Sequence, residues 1–294
     1  MKKLAASLRR IGLIANPEKE HVDRLVRRAA TALRQARRTV AFDATTAGLL
    51  GRSRQGTGSI AELAQECDLL LVFGGDGTML RAAREVAGLP TPLLGINVGN
   101  LGFLTAVSPD HLDEALRDLW AGRFQLEERS LIEATAHHQG ERSVLAALND
   151  FVLARGETSR LIELEVQVNG ELLTRYRCDG LIASSPTGST AYSLAAGGAI
   201  VSPDADVLTL TPICPHTLSI RPVVINLGAT VEVTLLSARP VATLAADGQQ
   251  HVELSAGDRV TIRRSTRTVR LVQLKGRTFF STLRLKFGWS GTNV

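Results

Sequence analysis

Leu69-Leu70-Leu71-Val72-Phe73-Gly74-Gly75-Asp76-Gly77-Thr78-Met79-Leu80 decides how this chain is read: an apolar run of strand length empties into three glycines that surround one carboxylate. The run suits a strand covered on both faces, and Thr78 to Ala87 carries apolar residues at helical spacing. The glycines therefore lie between the C-terminal end of a strand and the N-terminus of a helix, where α/β sheets bind nucleotides. Glycine lets the backbone approach a phosphate closely, and the free N–H groups of a helix start favour anions. A carboxylate there repels phosphate unless a metal or a hydroxyl stands between them. Asp76 reads as a metal partner or as the base for an attacking hydroxyl. A tight turn with Asp76 or Thr78 capping the helix is the plainer alternative.

Outward from this loop, the first 123 residues alternate. Ile11 to Ala15 reads as a strand, Asn16-Pro17 opens a helix through Leu25, Ala29 and Leu33, and Val40 to Phe42 is a second strand. Gly48 to Ser59 reads as a loop and Ile60 to Glu66 as a short helix. After the glycine loop come a strand from Leu93 to Asn97 and a helix from about Pro109 to Ala121. This is the pattern of a parallel sheet with helices on both faces, an α/β Rossmann-like nucleotide-binding domain. From 124 to 275 the period changes to two, in strands Leu131 to Ala136, Ala146 to Leu153, Ile162 to Val168, Gly180 to Ser184, Val207 to Pro212, Val231 to Leu235 and Arg259 to Arg263. Turns such as Asn169-Gly170 and Asp247-Gly248 separate some of them, which predicts an all-β domain. Residues 276–294 read as a tail that returns to the first domain.

The 294 residues suffice for two domains with large cores, and 44% hydrophobic with 21% charged residues is an ordinary globular balance. A net charge of +5 does not point to nucleic acid, because the basic residues are scattered among acids and aromatics make up only 4%. Five of the 34 basic residues are lysines, so 29 are arginines. Such a basic surface helps to attract a polyanionic small substrate. Cys67, Cys178 and Cys214 are widely spaced, which indicates neither a disulfide framework nor a zinc site and fits a reducing cytoplasm. Arg9 and Arg10 interrupt the apolar run after Lys2-Lys3 before it reaches signal-peptide length, and no stretch is long enough to span a bilayer.

A second dense segment runs from Asp179 to Gly198. A strand enters the turn Pro186-Thr187-Gly188 and a short helix leaves it. Five hydroxyl residues between Ser185 and Ser193 could read an adenine edge and ribose oxygens, with Tyr192 offering a ring face. A capped helix inside a β domain accounts for one hydroxyl but not the cluster. Asn149-Asp150 alone reads as a turn or bulge. Arg177 and Asp179 flank Cys178 and would face the same side of a strand, where an exposed ion pair contributes little. Asn97-Val98-Gly99-Asn100-Leu101-Gly102-Phe103 is a plausible wall of a nucleotide crevice. No Gly-Lys pair exists, so there is no Walker A lysine, and phosphates would be neutralised by Mg²⁺, arginine and backbone N–H groups. Gly56-Thr57-Gly58-Ser59-Ile60-Ala61 has the form of a dinucleotide fingerprint but follows no strand, and reads as a loop. There is no G-x-S-x-G elbow and no HExxH.

Taken together these segments resemble the NAD kinases, a family in one superfamily with diacylglycerol kinases, sphingosine kinases and 6-phosphofructokinases. The resemblance covers Ile11 to about Trp289. It rests on Gly74 to Thr78, Asn97 to Thr105, Asn149-Asp150, Asp179 to Gly198, and Pro215-His216-Thr217-Leu218 with Arg221-Pro222. It implies an α/β domain followed by a β-sandwich domain, with NAD in the crevice between them. Asp76 would accept the proton of the adenosine ribose 2′-hydroxyl while the γ-phosphoryl of ATP is transferred, giving NADP. Gly74, Gly75, Gly77, Thr78 and Phe103 would belong to the nucleotide site. Asn149, Asp150, Arg160, Arg177, Asp179, Thr187, Thr190, Ala191, Tyr192, Ser193, Leu194, Ala195 and Gln249 would contact the dinucleotide. The resemblance further implies Mg²⁺ held mainly by substrate phosphates, ATP or polyphosphate as donor, and a homodimer or homotetramer. The family usually has Asn-Glu at Asn149-Asp150, and the shorter side chain implies a small backbone adjustment with activity retained. A lipid kinase of the diacylglycerol type shares the glycine loop but follows it with Asn-Glu-Val, not the Met79-Leu80-Arg81 found here. A non-catalytic dinucleotide sensor would not need Asp76.

Overall fold

A computed structural model describes residues 5, 7–52, 56–105, 107–156, 160–237, 241–276 and 278–289. Lys2-Lys3, the middle of the predicted Gly48 to Ser59 loop and the tail beyond Trp289 lie outside the described residues. The chain forms two compact units, one of Met1–Glu128 with Thr268–Val294 and one of Arg129–Arg267. The first unit begins with β1 (Arg10–Ala15), α1 (Val22–Gln35), β2 (Thr39–Asp43), α2 (Ala44–Leu49), β3 (Gly56–Thr57) and α3 (Ile60–Glu66). It continues with β4 (Leu69–Gly74), α4 (Asp76–Val86), β5 (Leu93–Asn97), a 3₁₀ turn at Pro109–His111 and α5 (Leu112–Trp120).

All strands of this unit's sheet are parallel, in the order β3-β2-β1-β4-β5. Every residue of β4 is buried, and its alternation sorts the core. Leu69, Leu71 and Phe73 pack with Leu25, Ala29 and Leu33 of α1 and with Leu112, Leu116 and Leu119 of α5. Leu70 and Val72 are buried on the other face. There Gly12 leaves room for Leu63 of α3, whose Cδ2 lies 3.0 Å from where a Cβ on Gly12 would stand. Helices thus cover both faces, as the continuous apolar run requires.

Two local expectations fail for identifiable reasons. The helix predicted from Asn16-Pro17 starts only at Val22, because His21 is in the left-handed region at φ 58° and cannot lie inside a helix. Asn16 instead turns the chain, its Oδ1 accepting the Glu18 N–H at 3.0 Å. The predicted Gly48 to Ser59 loop is partly regular: Gly48 and Leu49 end an unexpected helix, α2, capped by Asp43, whose carboxylate accepts the Thr46 N–H, and Gly56-Thr57 form β3 beside β2. Thr46 is fully buried and its Oγ accepts the Ala15 N–H at 2.8 Å. Thr46→Val keeps the shape but strands that N–H, and is expected to lower stability by about 1–3 kcal/mol. A urea midpoint that falls at unchanged slope is the measurement.

The second unit holds β6 (Phe124–His138), entered from the first unit, then β7 (Glu141–Ala147), β8 (Asp150–Arg155), β9 (Ile162–Val168), β10 (Glu171–Cys178) and β11 (Gly180–Ser184). A 3₁₀ turn at Thr187–Thr190 and the one-turn α6 (Tyr192–Ala195) follow. After them come β12 (Val207–Ile213), β13 (Val223–Asn226), β14 (Val231–Leu235), β15 (Ala242–Ala246) and β16 (Gln250–Leu254). β17 (Arg259–Leu274) leads back to the first unit, where Leu271 pairs with Leu93 in parallel, and α7 (Phe279–Phe287) ends the described chain. One antiparallel sheet has the order β13-β12-β11-β8-β15-β16. The first part of β17 pairs with β14, which continues to β9 and β10. Phe151, Leu153, Leu181 and Leu244 of the first sheet share one buried cluster with Leu164, Tyr176, Val233 and Val260 of the second set. This is a β-sandwich.

The predicted strand Ala146 to Leu153 is broken in two at Leu148-Asn149. β10, β13, β15 and β16 were not predicted. In β10 only Tyr176 and Cys178 are buried, so its pattern reads as polar. Among the described residues no helix is long and apolar enough to cross a membrane.

Candidate functional site

In the first unit the loop after β4 sits where the sheet's connections diverge, β1 leading toward β2 and β4 toward β5. Such a switch point leaves a crevice at the strands' carboxyl ends. The backbone closes around it: Asn16 N–H donates to Phe73 O at 3.0 Å and Val98 N–H to Gly74 O at 2.9 Å. Gly75 is the N-cap of α4 with no side-chain cap, and Asp76 is the first helical residue, so the alternative in which Asp76 caps the helix is not what forms. Thr78 is buried beneath Gly74, its Cβ 2.7 Å from where a Cβ on Gly74 would stand.

Asp76 turns toward the loop that follows β5. Its Oδ2 accepts the Phe103 N–H at 2.8 Å, and its Oδ1 accepts the Leu104 N–H at 3.0 Å and the Thr105 hydroxyl at 3.2 Å. Thr105 is fully buried beside Asn97, whose Nδ2 donates to Gly99 O at 2.8 Å. A carboxylate offers about four acceptor positions. Three are used, and the remaining one is on Oδ2. The Phe103 ring packs against Phe279 and Phe287 of α7, at 6.1 and 6.3 Å between centroids, with Lys286 Nζ 4.6 Å over its face. Lys19, which no motif marks, brings its Nζ within 3.8 Å of the Cβ position of Gly99. A lysine thus stands at this loop although no Walker motif is present.

In the second unit Asn149 and Asp150 lie beside the turn after β11. Asn149 O accepts the Ser185 N–H at 2.8 Å, and Ser185 Oγ donates to Leu148 O at 2.5 Å. Asp150 is 5% exposed, and burial, reinforced by the charge of Asp247, pushes its carboxyl up to about 7. Asp247 was read only as part of a turn, yet its carboxylate accepts the N–H groups of Leu148, Asn149 and Asp150. Gln249 follows it, exposed, with its N–H on Ala246 O.

The hydroxyl cluster divides in two. Ser189 donates to Pro186 O and Val201 O, Ser193 shares a 2.9 Å bond with Thr211 Oγ, and both are fully buried with Ser185. These hydroxyls fold the segment and are not free to read a base. Thr187 is nearly buried, Thr190, Ala191 and Leu194 are half-buried, and Tyr192 and Ala195 are exposed. α6 has no side-chain cap, so the capped-helix alternative does not form either.

Asp179 pairs with Arg155, Nε to Oδ1 2.5 Å, and not with Arg177, which is exposed. β10 ends at Cys178, so Asp179 leaves the strand's alternation. Ser184 faces Asp150 and Gly180 faces Ala154 in the β8–β11 pair, so Asp179 lies near the opposite end of that pair from Asp150. Arg160 is exposed and bonds to none of the other candidates among the described residues. Among those residues no three His, Cys, Asp or Glu gather as a metal cage.

A family model for the ATP-NAD kinase N-terminal domain matches residues 11–124, and one for the ATP-NAD kinase C-terminal domain matches residues 148–274. The chain belongs to the ATP-NAD kinase family. Among relatives in this family, an NAD kinase of Desulforamulus reducens is 43% identical over 277 residues, covering 94% of this chain and 96% of its own. An NAD kinase of Nitrosomonas europaea is 44% identical over 255 residues, 86% of each chain. Two solved structures are similar. A yeast NADH kinase complexed with NADH has a TM-score of 0.88 at 26% identity, over 97% of this chain and 89% of that one. An NAD kinase from Archaeoglobus fulgidus in complex with ATP has a TM-score of 0.76 at 26% identity, over 94% and 98%.

Proposed function

We propose that this ATP-NAD kinase family member phosphorylates NAD at the 2′-hydroxyl of the adenosine ribose, with ATP as donor and Asp76 as the base. The observation that carries the reading is the Asp76 carboxylate, held by three donors at the glycine loop with one Oδ2 position left to accept a hydroxyl proton. Gly74, Gly75 and Gly77 supply close backbone approach for phosphate oxygens at the start of α4, and Thr78, whose N–H donates to Gly75 O at 3.0 Å, closes the same turn. Asn149, Asp150, Arg160, Arg177, Asp179, Thr187, the stretch Thr190 to Ala195 and Gln249 hold the dinucleotide. Ser193, being buried, contributes through the turn it ties to Thr211 rather than by its hydroxyl.

Mg²⁺ held mainly by the substrate phosphates, as an ion that keeps several waters can be, is compatible with Asp76 keeping its remaining acceptor position for the hydroxyl. When bound it neutralises phosphate charge, and the chain's part is to position the hydroxyl and take its proton. A homo-oligomer and a reducing, cytoplasmic setting complete the proposal; Cys67, Cys178 and Cys214 are all unpaired. Incubation with NAD, ATP and Mg²⁺ should give NADP, scored by an NADP-specific dehydrogenase. Absence of NADP would overturn the reading.

A further inference from the structure

Asp247 opens the turn between β15 and β16 at φ 50°, a left-handed conformation that aspartate and asparagine tolerate better than most residues. Its carboxylate reaches three consecutive amides: Oδ2 accepts the Leu148 N–H at 2.9 Å, and Oδ1 accepts the N–H groups of Asn149 at 2.8 Å and Asp150 at 3.2 Å. Its own N–H donates to Asp150 O at 3.0 Å. Consecutive amides converging on one anion form a nest, here filled by a side chain of the same protein. These bonds interrupt the β7–β8 run and give Leu148-Asn149-Asp150 its shape. We propose that Asp247 is a positioning residue of the dinucleotide site, holding that backbone so that Asn149 and Asp150 are presented to the ribose hydroxyls. The proposal rests on reading Asp150 as a dinucleotide ligand.

The charge of Asp247 has a second consequence. Across the β8–β11 pair Asp150 meets Ser184, which is uncharged, and from the β15–β16 turn it meets Asp247. Burial and this charge raise the Asp150 carboxyl to about 7, so it is neutral below that pH and an acceptor-only anion above it. KM for NAD should therefore fall as pH rises through about 7. In Asp247→Asn the backbone conformation remains accessible and the volume is kept, but the charge is gone and an NH₂ group opposes one of the amides. The KM transition should then move to lower pH.

The test is KM and kcat for NAD across pH 5.5–8.5 for wild type, Asp247→Asn and Asp150→Asn. For Asp247→Asn we expect KM at pH 8 to rise about tenfold, as loss of charge-assisted hydrogen bonds implies, with kcat within about threefold and the KM midpoint displaced downward. A merely structural role would lower the melting temperature along with the midpoint, because burial is the larger cause of the raised carboxyl, so the midpoint is read together with an unchanged melting temperature. Unchanged KM and midpoint in Asp247→Asn, with Asp150→Asn raising KM, would overturn the role of Asp247 alone. Unchanged KM in Asp150→Asn would instead overturn the reading of Asp150. If Asp247→Asn does not fold, Asp247→Ser, which keeps one acceptor and drops the charge, is read by the same two outcomes.

Discussion

Asp76→Asn should slow NADP formation by about 10²–10⁴-fold at saturating NAD and ATP, the range expected when a positioned base is lost. That corresponds to about 3–5 kcal/mol of barrier. The amide has nearly the carboxylate's shape but cannot take a proton, so the loss should appear in kcat more than in KM. The same substitution disturbs the loop, because an NH₂ group now faces the N–H of Phe103 or Leu104, two donors opposed. Thr105→Val separates the two roles: it removes the hydroxyl donor to Oδ1 but leaves the base, and its effect on kcat should stay within about tenfold. Undiminished NADP formation by Asp76→Asn would remove Asp76 from the mechanism. A Thr105→Val loss as large as that of Asp76→Asn would mean that holding the loop, not taking a proton, is what Asp76 contributes.

What the sequence made legible follows the range of the forces involved. β4 and the glycine loop were readable because burial on both faces and the need for close backbone approach leave local marks, an unbroken apolar run and three glycines. The start of α1 was misplaced because a single left-handed residue, His21, overrides Pro17, and nothing in the composition reveals its φ. The break at Leu148-Asn149 was invisible because the carboxylate that makes it lies 99 residues away from Leu148. Arg155, the partner of Asp179, stands on another strand and emerges only from the β8–β11 register. The hydroxyls of Ser185, Ser189 and Ser193 resemble ligand groups in sequence, which does not distinguish a hydroxyl spent on a carbonyl or another hydroxyl inside the fold from one left for a substrate. An Asp-Gly pair marks the turn at Asp247 but not the three distant amides its carboxylate accepts.

Two glycine-to-alanine substitutions, one in each unit, should separate catalysis from stability. At Gly188 a Cβ would stand 2.5 Å from the carbonyl carbon and 2.7 Å from the Cα of Asn149. Both are backbone atoms, and Asn149 is pinned by Asp247 and Ser185, so it cannot yield without breaking those bonds. Gly188→Ala is expected to cost about 1–3 kcal/mol in stability, as overpacked cores do, and to raise KM for NAD because the Asn149-Asp150 turn must move. At Gly102 the obstacles are instead side-chain ends: a Cβ would overlap Asp76 Oδ1 and stand 2.6 Å from Thr105 Oγ. Those atoms can rotate away and, because Phe103 and Leu104 are half-buried, water can take the place of the carboxylate at their amides, but Asp76 then leaves the donors that aim it. Gly102→Ala should therefore stay folded with a melting temperature near that of the wild type, while kcat falls about as far as in Asp76→Asn. Full kcat in Gly102→Ala would show that the carboxylate reacts from a different pose than the one its three donors hold.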